Sequence, residues 1–123
     1  MSAAPHVKAF CHEIVKTREL WTIQFPDGAY VKWEDSDGSE VLPVWSTQSR
    51  VRKVLSYEGA FDGAVPVCFS FNDFLSDWLP RLNEEGTGLG PNWAGENLSG
   101  WTFGAQELID RVQNTPGYLD DAT

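Results

Sequence analysis

A chain of 123 residues, 41% of them hydrophobic, is the size of one domain and can bury a core without a metal or disulfide staple. Its 18 acidic and 9 basic residues leave a formal charge of −9, a surface that repels phosphate backbones and argues against nucleic-acid partners. No apolar run approaches membrane-spanning length, and Lys8, His12 and Glu13 interrupt the apolar stretch near the N-terminus, so neither a membrane span nor a secretory leader is expected.

The first element predicted is an amphipathic helix. Val7, Phe10, Cys11, Ile14 and Val15 follow the i, i+3, i+4, i+7, i+8 stripe, and Pro5 stands near its first turn. Three tryptophans then recur at twelve-residue intervals, Trp21, Trp33 and Trp45, each in a short apolar run. Trp21, Ile23 and Phe25 alternate with polar residues at strand period. Pro26-Asp27-Gly28 supplies a turn, Ala29 to Trp33 a returning strand, and Asp35 to Ser39 a second turn. The third strand, Val41 to Trp45, is apolar on both faces and reads as buried on both sides. Its Pro43 lacks a ladder donor and favours an edge or a bulge. The expectation is a three-stranded meander with Trp21 and Trp33 in the core.

Ser46 is placed to cap a helix from Thr47 to about Leu55, whose outer face carries Arg50, Arg52 and Lys53. A looser stretch from Tyr57 to Ala64 leads to a strand over Val65 to Phe69. Ser70 as N-cap and Asp73 at N3 open the clearest helix, with Phe71, Phe74, Leu75, Trp78, Leu79 and Leu82 at helical spacing. Pro80 should kink or end it. A loop over Asn83 to Gly88 precedes two short strands, near Leu89 to Trp93 and Leu98 to Phe103, around the turn Ala94 to Asn97. Gly104 opens a last helix with Leu108, Ile109 and Val112 inward, and a tail over 114–123 is expected to fray. This order gives a single α+β domain, its core about 5–113, with a mainly antiparallel sheet.

Candidate chemistry is thin. Cys11, Cys68, His6 and His12 are too few for a structural zinc site, and neighbours Cys11 and His12 diverge by about 100° on a helix. Both cysteines sit in apolar patterns and read as buried thiols of a reducing compartment, so a cytoplasmic setting is expected. Nucleophilic catalysis would pair Cys11 or Cys68 with His6 or His12; a His12–Cys68 dyad is geometrically possible, but an apolar strand suppresses the thiolate it would need. Asp35 to Gly38 lacks the register of a calcium loop, and Gly86 to Gly90 lacks the helix that should follow a phosphate cradle. No metal or cofactor is expected. The Arg50, Arg52 and Lys53 group reads as a solvated helix face, with an acidic partner group as its functional alternative.

The tryptophans carry the functional weight. Six are more than a core of this size needs. Trp78 fits the core stripe; Trp93 and Trp101, with Asn92, Gly100 and Thr102 as neighbours, fit a surface lining best; Trp45 stands between these cases.

Several of these segments together resemble a known family. Trp33-Glu34-Asp35 with Asp37-Gly38 is followed by Leu42-Pro43-Val44-Trp45 before a helix. Phe74-Leu75, Trp78-Leu79-Pro80, Leu82, Gly86 and Gly90-Pro91-Asn92-Trp93 come next, then Gly100 and Glu107-Leu108. In order and spacing these resemble the bacterial family known as domain of unknown function 2750, over about Ala9 to Val112. One departure is Pro91, where an aliphatic strand residue is usual, which puts a regular strand there in doubt. The resemblance implies a compact α+β domain of the bacterial cytoplasm and brings no catalytic residues.

The first functional reading is a non-enzymatic binding or accessory module, meeting a protein or small ligand through an aromatic surface of Trp45, Asn92 and Trp93 with Arg50. The second is an immunity-type protein that neutralises a basic toxin through its acidic surface, where charge steers and aromatics hold. A cysteine-dependent enzyme is the third.

Overall fold

The structure, a computed structural model, describes residues 4–34, 38–57, 63–94 and 100–118. Helix α1 (Ala4–Thr17) leads to β1 (Glu19–Gln24), β2 (Trp33–Glu34) and β3 (Glu40–Val44). Helix α2 (Gln48–Leu55) and β4 (Val65–Ser70) follow. A continuous helical stretch comes next: α3 (Phe71–Asp73), a π-helical turn (Phe74–Trp78) and α4 (Leu79–Glu85). Strands β5 (Gly88–Pro91) and β6 (Phe103–Gly104) and helix α5 (Ala105–Gln113) complete the order. This is the α+β domain and the element order that periodicity predicted.

Strand pairing departs from a simple meander. β1 pairs antiparallel with β4, Trp21 opposite Cys68, and the other sheet runs β2-β3-β5-β6. Within it β3 and β5 are parallel, while β2–β3 and β5–β6 are antiparallel. The expected returning strand is reduced: Tyr30 makes a lone bridge to Gln24, and regular pairing resumes only at Trp33 opposite Val41.

Pro43 explains where the two sheets part. Along β3, residues 41, 43 and 45 offer their backbone polar groups to one side. Val41 is paired with Trp33, and Trp45 exchanges two 2.8 Å bonds with Trp21. Pro43, with no N–H to offer, falls between those attachments, and the buried Thr22 hydroxyl donates to its carbonyl at 2.9 Å. Pro91 is accommodated by the same logic. Asn92 N–H donates to Val44 O at 2.8 Å, so the nitrogen of Pro91 faces away from β3, on a side where β6 pairs only with Gly88 and Leu89. Pro91 is therefore regular strand after all.

The core forms on both faces of β3, as its doubly apolar sequence predicted. Leu42 and Val44 join α1, α5, Phe71, Phe74 and Leu89 on one face. Val41 and Trp45 join Ile23, Val31, Val51, Val54 and Trp93 on the other. Four side chains expected inside sit differently: Trp33 is exposed, Cys68 is exposed on β4, Trp21 is only partly buried against the second cluster, and Trp78 is half-buried against Tyr30, Phe69 and Phe74. Trp33 loses its cover because β2 is only two residues long at the sheet edge.

Helix ends follow local chemistry. Thr47, not Ser46, caps α2 by accepting from Arg50 N, and Ser70 accepts from Asp73 N at 3.1 Å as expected. Pro80 shapes its helix in a specific way: Leu79 N–H reaches back to Phe74 O, the i→i−5 bond of a π turn. Widening the turn makes room for the proline ring near the preceding carbonyls. The helix then runs on through Glu85, where a loop was expected, and ends at Gly86 with φ 74°. The first part of the tail is anchored, since Arg18 stacks 4.1 Å over the Tyr118 ring and donates to its carbonyl. Parts of the turns expected over Asp35 to Ser39 and Ala94 to Asn97, most of the looser stretch expected over Tyr57 to Ala64, the start of the strand expected from Leu98, and the fraying expected beyond 118 fall outside the described residues.

Candidate functional site

The four residues proposed from sequence, Trp45, Arg50, Asn92 and Trp93, lie in one region, but three of them are interior and Arg50 is partly exposed at its margin. Trp45, Asn92 and Trp93 are at most 5% exposed, so none lines an open surface. The Trp45 indole N–H donates to Trp93 O at 2.8 Å. Asn92, left-handed at φ 51°, turns its amide so that Ser46 N–H donates to its Oδ1 at 3.0 Å. Its own Nδ2 donates to Ser46 Oγ at 3.0 Å. A side chain thus continues the β3–β5 ladder beyond Pro91, in a conformation that asparagine tolerates.

Glu13 of α1 closes this joint. Its carboxylate accepts from Ser46 Oγ and from Arg50 Nε and Nη2, both 2.9 Å away. The bidentate Arg50 bonds hold the Glu13 carboxyl below the usual glutamate range, with burial opposing and Ser46 assisting. The same contact raises Arg50 against the desolvation that would lower it. Arg50 is therefore committed within the molecule and is not a free cation. Arg52 and Lys53 lie exposed in the last turn of α2.

The glycines near Trp93 make room for its ring. A Cβ on Gly90 or on Gly100 would fall within the indole, which lies between the two backbones. A Cβ on Gly88 would meet Phe103 O at 2.8 Å. The run from Gly86 to Gly90 is thus a cap followed by close approaches, not a phosphate cradle. The Trp93 N–H donates to Trp101 O at 2.9 Å.

Exposure belongs to other tryptophans. Trp33 is 40% and Trp101 48% exposed, and Trp33 meets Trp93 edge-on at 6.4 Å. Trp101 borders a groove of about 800 Å3 between α1 and α5. One wall is the α1 face with Val7, Lys8, Cys11 and His12; the other is the α5 face with Glu107, Asp110 and Arg111, and Asn114 at its C-cap. Trp101 and Phe103, 6.2 Å apart, supply the aromatic wall, and the Arg111 guanidinium lies 4.8 Å over the Phe103 ring. Sequence reasoning singled out Trp101 as a surface aromatic but not the helix faces beside it. Their polar positions read simply as solvated flanks of two core stripes.

Neither thiol is primed for nucleophilic work. Burial raises the pKa of Cys11, which the Thr115 hydroxyl and the Arg111 charge lower to a smaller extent. Desolvation and the Glu19 carboxylate both raise that of Cys68. Among the described residues, no three His, Cys, Asp or Glu side chains converge as a metal site, and no helix is long and apolar enough to cross a membrane.

A family model described as "Protein of unknown function (DUF2750)" matches residues 7–112. No curated protein matches the chain. Among solved structures, the chain is similar to "Anabaena Tic22 (protein transport)", at 12% identity and a TM-score of 0.43. That similarity covers 92% of this chain and 52% of the other, so this chain spans about half its length.

Proposed function

The chain belongs to the DUF2750 family, and from that premise we propose that it is a non-catalytic binding or accessory domain whose binding surface is the α1–α5 groove. The observation that carries this reading is Trp101, 48% exposed on the wall of a groove whose volume is about 800 Å3. Exposing a tryptophan forgoes its burial energy, and such aromatics beside concave surfaces are the usual anchors of binding sites. A non-catalytic role is supported by two thiols shifted away from the reactive thiolate. A cytoplasmic setting is supported by the two free cysteines, one of them exposed.

The test is a fluorine-NMR screen of small aromatic and aliphatic fragments against the wild type and Trp101→Ala. Hits should broaden with the wild type and recover with the variant, while stability changes by no more than about 0.5 kcal/mol, as for an exposed side chain. Hits that persist unchanged in the variant would place binding elsewhere.

A further inference from the structure

Resting on the groove as the binding surface, we infer that it takes a small anionic amphiphile, a carboxylate carried on a flat or branched apolar body. Its volume of about 800 Å3 is that of a small-molecule site. Val7, Cys11, Trp101 and Phe103 give it an apolar and aromatic lining suited to such a body.

Head-group choice follows from which charges are already engaged. Five ionisable groups besides Cys11 line the groove: Lys8, His12, Glu107, Asp110 and Arg111. Both carboxylates have partners, since Gln106 Nε2 donates to Asp110 Oδ1 at 3.0 Å and Glu107 lies 3.7 Å from Arg111. Lys8 and His12 make no ion pair or hydrogen bond among the described residues, and both are exposed. They stand four apart on α1 and so share one face, directly beside Val7 and Cys11. Arg111, laid over Phe103 and paired with Glu107, adds a further positive charge that reaches the Cys11 thiol. An anion entering the groove meets two donors without partners among the described residues, Lys8 and His12, with Arg111 shared with Glu107; a cation meets carboxylates that already have partners. In a chain of net charge −9 the lining is locally balanced, Lys8 and Arg111 against Glu107 and Asp110, and the unpartnered donors on α1 select the head group rather than the approach.

A matched trio tests it: 4-phenylbutyrate, its neutral amide and 4-phenylbutylamine, each titrated at neutral pH and low salt into nitrogen-15-labelled protein. The acid should shift amides of residues 7–12 and 101–116 and bind at least about threefold more tightly than the amide, as expected for an exposed ion pair. The amine should be weakest. Lys8→Gln should bring the acid toward the amide without changing the amide's own affinity. Equal binding of all three in the groove overturns the anion assignment and leaves the groove reading intact. A preference for the amine overturns it in favour of a cationic or peptide partner. Shifts by none of the three remove both.

Discussion

Trp93 dictates the residues around it. Its ring occupies space that a Cβ on Gly90 or Gly100 would need, its carbonyl satisfies the Trp45 indole, and its own N–H satisfies Trp101 O. In sequence those glycines and Asn92 resemble an open loop, because a residue that makes room for a neighbour is the same letter as one that makes a turn. Trp93→Ala should cost about 3–5 kcal/mol in denaturant unfolding, the range for a large core aromatic. Glu13 carries a second residue-scale prediction. Its folded pKa is lowered, so its stabilisation is present above the ordinary glutamate value of about 4.3 and is lost as pH falls through the lower folded value. Glu13→Gln should therefore be less stable than the wild type near neutral pH, by about 1–2 kcal/mol. Unfolding curves of the two should converge in acid. An unchanged gap there would assign the effect to something other than the carboxylate charge.

Elements were legible where a local signal sets them. The α1 stripe, the Ser70 cap and the inward face of α5 all follow from periodicity or capping chemistry. Pairing was not, because strand alternation fixes which face is buried and says nothing of the partner. Thus β1 met β4, distant in sequence, and β3 ran parallel to β5. Pro43 signalled a break in the ladder but not that Thr22 would fill it. Thr22→Val should leave the Pro43 carbonyl unsatisfied and cost about 1–3 kcal/mol. Ser70→Ala should cost about 1 kcal/mol through loss of the cap. Both are read from denaturant midpoints, and a neutral Thr22→Val would mean the carbonyl finds another donor.

At the scale of the whole molecule, the groove is a product of tertiary packing. Lys8 and His12 sit at one end of the chain and Glu107, Asp110 and Arg111 near the other, and only the contact between α1 and α5 sets them opposite one another. No local pattern announces that, whereas Trp101 was visible as an aromatic among small and polar neighbours. The sequence-based placing of function on Trp45, Asn92 and Trp93 moves accordingly: these lock β3 to β5 in the interior, and the surface aromatic is Trp101. The most direct test is fluorine NMR of 5-fluorotryptophan-labelled protein with a soluble gadolinium chelate, before and after addition of groove-binding fragments. Trp101 and Trp33 should broaden strongly, Trp45 and Trp93 should be protected, and fragments should shift Trp101 most. Broadening of Trp93 equal to that of Trp101, or fragment shifts that spare Trp101, would contradict the account.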